Sequence, residues 1–376
     1  MNPSDPDMPP DDNPAVDPLR NLPRRTLTIA LSILPVVALG NVAVLAYSLG
    51  GIHIGEKLKQ PSLLLLVAVL VFVPMLANSV RLAIWARFLE VKLGFRGSLK
   101  VITGTMVANS VTPSATGGMP IKLLFLMGEG VESRRSVTLI SFQAAEDAFL
   151  LVGMLIGCLG ITGFAMFDFF SSDPELLARL DASLRTASIV VLWVLVAFAV
   201  MAVVIAAGLM GNNVRDWARN FSRRIKGWIV QIAEDWMAVF RRGKGIALLN
   251  LGFSALQWIV RFSIAGLILA AFGVEWQPAL FWLLQYLVQS ISSIVPTPGG
   301  AGGAEAAFLL LFAPFVAMGV LVPAMSTWRL MHFYLPLVGA ALTFFLLHRG
   351  DSAKAKAKAS SDARIEPDEG IPQPAE

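Results

Sequence analysis

Long apolar runs separated by short polar connectors fill most of this chain, and many of the runs are long enough to cross a bilayer as helices. Residues of roughly 27–49, 62–89, 134–165, 186–209, 246–272 and 320–347 each meet the requirement of about 20 apolar-rich positions. Two other regions, 98–127 and 278–318, break the pattern. Each has two shorter apolar arms around a Pro and Gly interruption, "TPSATGGMP" in the first and "VPTPGGAGG" in the second. The arms predict re-entrant helical hairpins, with breaks at Pro113, Gly117 and Gly118 and at Pro296, Pro298, Gly299, Gly300, Gly302 and Gly303. Lipid cannot satisfy the amides and carbonyls of a broken backbone, so such hairpins persist only when buried in protein or lining a wet cavity. The pattern therefore predicts an internal polar site.

Composition agrees. Of the 376 residues 56% are hydrophobic and 15% charged, and the mean hydropathy is +0.67, well outside soluble usage. The expected fold is an all-α integral membrane protein with about six full spans plus two re-entrant hairpins. Residues 1–24 and 349–376 are rich in Pro, Asp, Lys and Ala and read as disordered tails around a membrane domain at 25–348. The first apolar run, about 23 residues, exceeds the h-region of a signal peptide and reads as a retained anchor. Cys158, the single cysteine, excludes an intrachain disulfide.

The two interrupted regions resemble each other. "NSVTPSATGGMPIK" and "SSIVPTPGGAGGAE" align with one gap, and "VRLAI" around Arg81 faces "VRFSI" around Arg261 upstream. Downstream, Lys122 and Glu305 each lie nine residues after the respective proline, and Glu146 and Arg329 follow them by 24 residues, with both signs swapped. Halves of about 25–165 and 186–348 would each hold two spans, a hairpin and a third span. That is an odd number of crossings, so the second half must insert upside down. Inverted repeats with discontinuous helices meeting near the midplane are the usual build of a transporter.

Charge placement fits one orientation. With both termini cytoplasmic, only Lys57, Lys59, Arg179 and Arg185 fall on the exported side, as the positive-inside rule requires of a multi-pass cytoplasmic (inner) membrane protein. Residues 212–242, with Trp217, Phe221, Ile225, Trp228, Ile232 and Trp236 opposite a basic face, read as an amphipathic helix. It either lies on anionic lipid headgroups at the cytoplasmic leaflet or packs on the bundle.

Arg81, Lys122, Glu146, Asp147, Arg261, Glu305 and Arg329 fall inside the predicted hydrophobic layer, where charges should face inward and pair. One reading makes them structural salt bridges, with Lys122–Glu146 and Glu305–Arg329 as pairs. The other makes them a substrate path. There the four cations bind the phosphate of an anionic lipid headgroup and the three carboxylates orient them or contact a cationic group. The glycines likewise serve either close helix packing or the break itself.

Other chemistries find little support. His53, His332 and His348 are scattered, with no HExxH, P-loop or Cys/His cluster, so no catalytic residue, metal or cofactor is expected. His332 reads as a packing or hydrogen-bonding residue. An intramembrane enzyme working on a lipid phosphate through Glu146, Asp147 or Glu305 ranks behind transport, since carboxylates beside cations make poor general bases. The net charge of +4 is explained by topology and lipid attraction, without nucleic acid.

"PTPGGAGGAE", followed by the arginine of "TWRLMHFYLPLVG", resembles the hallmark of the lysylphosphatidylglycerol synthetase/flippase membrane-domain family, the flippase-like proteins. "TPSATGGMP" with Lys122 and "AAEDAF" with Glu146 and Asp147 are similar to its earlier motif, over about residues 25–348. Other members carry a Pro-x-Arg-x-Gly-Glu form at that place. The resemblance implies a polytopic inner-membrane protein that moves or presents a lipid between leaflets. It also implies that the chain lacks the soluble aminoacyl-transferase domain of the synthetase members and so is no enzyme. The alternative is a non-transporting accessory subunit that presents a lipid carrier to a separate glycosyl- or aminoacyl-transferase.

Overall fold

The computed structural model describes residues 58–111, 118–163, 230, 232–295, 297 and 299–349. Among these the chain is helical with no strand, and four helices are long and apolar enough to cross a membrane: Pro61–Phe88, Ser133–Thr162, Lys244–Ala271 and Met318–Arg349. They correspond to four of the predicted spans. The predicted spans at 27–49 and 186–209, both tails, and Pro113, Gly117, Pro296 and Pro298 lie outside the described residues.

The first span is two helices, α1 (Pro61–Leu70) and α2 (Val73–Phe88). Proline supplies the reason: Pro74, in the first turn of α2, has no N–H to continue the ladder, so the chain turns at Val71 and Phe72. Helices α3 (Phe95–Val111) and α4 (Gly118–Gly128) pack together as the first hairpin, and α5 (Ser133–Thr162) is the next span. Span α6 (Lys244–Ala271) leads to the second hairpin, α7 (Pro278–Ile294) with α8 (Gly303–Phe312). At 10–17 residues, or about 15–25 Å, the hairpin arms are too short to span alone.

The last span starts as α9 (Met318–Arg329), widens into a π turn over Leu330–Tyr334 and continues through 335–349. The Leu335 N–H bonds to the Leu330 carbonyl, five residues back. Pro336 cannot donate to His332, which removes the competing α-helical bond and accounts for the wide turn.

Span α6 is the hub, touching α1, α2, α5, α7 and α9. It runs antiparallel to the first span. The Lys59 and Gln60 N–H groups bond to the Ala271 carbonyl at 2.9 and 3.0 Å, while Gly243 and Arg242 at the other end lie against Phe88. Hairpin α3–α4 follows the end of α2 and hairpin α7–α8 follows the end of α6, so the two hairpins start from opposite ends of the bundle.

The bundle has two apolar cores. One gathers Leu82, Trp85, Leu126, Leu139 and Phe142; the other gathers Ile264, Ile268, Phe281, Phe308, Phe312 and Trp328. Phe308 stacks on both Phe312 and Trp328 at 4.4 and 4.8 Å. The outer face is apolar too: Leu65, Val69, Phe149, Ile156, Leu248, Leu342 and Leu346 are exposed. Lipid solvates such a surface, which water would not.

Residues 232–242 are helical and dock on α5. Buried Asp235 accepts hydrogen bonds from Arg135 at 2.6 Å and Thr138 at 3.0 Å, and Trp236 meets Phe142 edge to face at 4.7 Å. This end of the amphipathic stretch therefore packs on the bundle. Trp217, Phe221, Ile225 and Trp228 lie outside the described residues.

The second break is held by close approach. Gly299, Gly300 and Gly302 have φ of 61°, 66° and 82°, and a Cβ at Gly299 would sit 2.3 Å from Phe333 Cζ. Gly299→Ala should lower stability by about 1–2 kcal/mol for the left-handed backbone and about 1–3 kcal/mol for overpacking. Adding Phe333→Ala should recover only the packing part. Thermal unfolding in detergent checks this, and an unchanged midpoint contradicts the close approach.

Candidate functional site

Between the hairpins lies a cavity of about 380 Å³. Its wall takes Asn109 and Ser110 from the end of α3, just before the first break, and Gly299 and Gly300 from the second. Asn78 of α2, Asp147 of α5, Gln257, Trp258 and Arg261 of α6, and Gln289 and Ser292 of α7 complete one side. Trp328 and Arg329 of α9, with His332 and Phe333 of the π turn, form the other. Both hairpins thus reach one chamber, whose wall mixes these polar groups with apolar side chains such as Met75, Ile102 and Val288.

The seven intramembrane charges divide into two settings. Arg81 is fully buried and does not border the cavity. Its Nε and Nη2 donate to Glu146 Oε2 at 3.1 and 2.7 Å, its Nη1 to Asp147 Oδ1 at 2.8 Å, and Nη2 also to the Gln143 carbonyl at 3.1 Å. Trp85 Nε1 supplies Glu146 Oε1 at 2.8 Å. Two carboxylates and a carbonyl answer one guanidinium, which is the structural salt-bridge arrangement.

Lys122 stands beside this network, donating to Gln143 Oε1, while Gln143 Nε2 donates to Asn78 Oδ1 at 2.9 Å. The paired Lys122–Glu146 contact expected from spacing is absent among the described ion pairs, because Arg81 and Trp85 occupy Glu146. Lys122 reaches the cavity wall only through Gln143 and Asn78.

Asp147 does border the cavity. Its Oδ1 accepts from Ser254 at 2.7 Å, Trp258 at 3.0 Å and Gln257 at 3.1 Å in addition to Arg81. All three new donors lie on α6.

Arg261 and Arg329 give the cavity its positive wall. Among the described residues no ion pair to Arg261 is found: Nη2 reaches the neutral Gln289 Oε1 at 3.3 Å, the guanidinium sits 5.6 Å from the Trp258 ring, and buried Nε has no partner. Arg329 Nη2 donates to the Gly299 carbonyl at 2.7 Å, tying the last span to the second break. Its Nε lies 2.9 Å from Glu305 Oε1, the expected pair, though the angle does not make a hydrogen bond. Phe333 stacks over the Arg329 guanidinium at 4.2 Å.

Glu305 is outside the cavity wall, at the N-terminus of α8, where it also accepts the Gly302 N–H at 2.8 Å. Gly118 and Gly303 let hairpin arms close: a Cβ on either would meet Asn109 at 2.9 Å or Val295 at 2.5 Å. The glycines thus serve both close packing and, at Gly299, Gly300 and Gly302, left-handed backbone.

Several residues of the site carried a signal that charge-picking passes over. Ser254, Gln257, Trp258 and Arg261 recur at i, i+3, i+4 and i+7, a polar helical stripe in an otherwise apolar span. Gln143 sits one turn before Glu146 in the same way. His332, stacked on Trp328 at 5.4 Å with an unpartnered Nδ1, becomes visible as a wall residue once the π turn is seen.

The sequence model for "Lysylphosphatidylglycerol synthase TM region" matches residues 27–340. A "UPF0104 membrane protein" of Archaeoglobus fulgidus is 22% identical over 298 residues, covering 75% of this chain and 85% of the relative. Another from Methanothermobacter thermautotrophicus is 22% identical over 310 residues, covering 79% and 88%.

Arg81 and Arg261 should respond differently to removal. Arg81→Ala strands buried Glu146 and Asp147 and should cost about 3–5 kcal/mol of stability, with Arg81→Ala/Glu146→Ala partly restored. Arg261→Ala strands no carboxylate ion pair and should fold as wild type. The fraction remaining monodisperse after heating distinguishes them; equal losses contradict this division.

Proposed function

From the premise that the chain belongs to the lysylphosphatidylglycerol synthase TM region family, we propose that it moves a phospholipid or lipid-linked anionic substrate between leaflets, with the cavity as its headgroup site. The observation that carries this reading is Arg261, a cation in a protein cavity that makes no carboxylate ion pair among the described residues, the carboxylate of the same wall, Asp147, being already engaged by Arg81, Ser254, Gln257 and Trp258. A charge costs about 2.5–3.5 kcal/mol at mid-membrane, and a ligand phosphate is the anion that would repay it. Arginine suits that contact because its planar donor fork matches phosphate oxygens. Trp328 Nε1 and Arg261 Nε, buried in residues of the cavity wall, have no hydrogen-bond partner.

We read the arrangement as an inverted repeat. The antiparallel first spans and the hairpins starting from opposite ends support it. The sign swap gives it chemical content. In the first half the repeated arginine, Arg81, meets Glu146; in the second the position matching Glu146 is Arg329, so Arg261 shares its chamber with a second guanidinium.

Orientation follows the same way. Arg87, Lys92, Arg96, Arg134, Arg241, Arg242 and Lys244 collect at the end of the bundle where α2 stops and α6 starts, and Arg96 reaches the Leu347 carbonyl there at 3.5 Å. That end would face the cytoplasm, against anionic headgroups. The other end carries Lys59 and Glu275. A cysteine placed at Lys92 in a Cys158→Ser background should react with a membrane-impermeant maleimide only after inner-membrane permeabilisation, and one at Glu275 before it. The reverse order overturns the orientation.

In liposomes, the purified protein should move a fluorescent anionic lipid between leaflets. Loss of a charge-assisted contact of about 1.5–3 kcal/mol at Arg261→Ala should weaken half-saturation about 10- to 100-fold. Binding of the lipid without any movement would instead favour an accessory role beside a separate transferase. Equal movement in empty vesicles defeats the transport reading.

A further inference from the structure

We infer that Glu305 is an internal stand-in for the ligand: it neutralises Arg329 while the cavity is empty and releases it to an incoming phosphate group. This rests on the anionic-headgroup reading above and adds to it a mechanism of exchange.

Geometry carries the argument. Arg329 borders the cavity, but its counter-ion Glu305 does not, so one guanidinium faces two claimants. A bidentate grip on a phosphate uses two N–H groups along one edge of the fork. In the present arrangement the Nε–Nη2 edge is already taken, Nη2 by the Gly299 carbonyl at 2.7 Å and Nε by Glu305 at 2.9 Å. A phosphate oxygen therefore reaches Nε only after Glu305 lets go, and takes the whole edge only if the Gly299 carbonyl also gives up Nη2.

Glu305 is suited to letting go. Its contact with Nε is close yet misaligned for a hydrogen bond. Its carboxylate has a second employment on the Gly302 N–H at 2.8 Å, at the positive end of α8, so it keeps a partner after release. Contrast Glu146, which holds Arg81 through Nε and Nη2 together and receives Trp85 as well. The first half's pair is built to stay and the second half's to exchange. Gly299 and Gly300 sit against Phe333 and Ser292, so release of Arg329 from this corner also loosens the second break.

Glu305→Gln tests this with little disturbance, because glutamine at this position still caps α8. Purified full-length protein is titrated with dioctanoyl phosphatidic acid, dioctanoylglycerol and inorganic phosphate. Glu305→Gln should bind the phosphatidic acid about five- to tenfold tighter than wild type, the low end of coupling between competing occupants, and should show a lower maximal rate in the liposome assay. Exposed Glu132→Gln, far from the cavity, is the control and should change neither. Weaker or unchanged binding in Glu305→Gln, with wild type still preferring phosphatidic acid over dioctanoylglycerol, overturns the stand-in and leaves the headgroup reading intact. No preference in wild type overturns both. Tightening for inorganic phosphate but not for the lipid supports the exchange and overturns the lipid as its source. In the wild-type protein, carbodiimide labelling of Glu305, mapped by mass spectrometry, should rise when phosphatidic acid is added; protection by the lipid overturns the proposal.

Discussion

A guanidinium at membrane depth must be answered by an anion or held where water or a ligand can answer it, and this one constraint organises the bundle. Arg81 is answered from within the protein. Glu146 and Asp147, neighbours on α5, reach it from one side, and the Gln143 carbonyl takes a remaining N–H. That network joins α2 to α5, and through Asp147 it continues to Ser254, Gln257 and Trp258 on α6. Three spans are fixed by a single buried charge cluster. Arg261 on α6 makes no ion pair among the described residues, reaching Gln289 and an aromatic face, and it borders the cavity together with Asp147. Arg81 is held by Glu146 and Asp147, whereas Arg261 shares the cavity wall with a second guanidinium, Arg329.

Broken backbone obeys the same rule in neutral form. The second break would strand peptide groups in hydrocarbon, but Arg329 takes the Gly299 carbonyl, Glu305 takes the Gly302 N–H and the Thr297 hydroxyl donates to the Ala301 carbonyl at 2.8 Å. These contacts use the very residues that line or flank the cavity. Holding the hairpin and presenting the charge are therefore one task. Arg81 and Glu146, bonded to each other, stand away from the cavity wall, whereas Asp147 of the same cluster borders it.

Much of this was legible in the sequence because hydrocarbon makes strong demands. Apolar length alone located the spans containing α1–α2, α5, α6 and α9, and Pro with Gly located the interruption between α7 and α8. Pairing was only half legible. Spacing placed Glu305 with Arg329 correctly, since both flank one hairpin and their separation is set locally. It placed Lys122 with Glu146 by the same logic, but a competing arginine from α2, 65 positions away, takes Glu146 instead. Neither the turn at Val71–Phe72 nor the π turn was anticipated, although Pro74 and Pro336 mark both.

The neutral members of the site were passed over for a physical reason. Attention to formal charge ranks residues by the cost of burying them, whereas a cavity is shaped by whatever satisfies those charges. Ser254, Gln257, Gln289 and Gln143 cost less to bury than an arginine, yet each decides where a charged neighbour points. Reading α6 for polar residues at helical spacing, rather than for ionised ones, finds the stripe that ends at Arg261. Because that stripe satisfies Asp147 on one turn and on the next ends at Arg261, which makes no ion pair among the described residues, the helix itself joins the Arg81 cluster to the cavity wall.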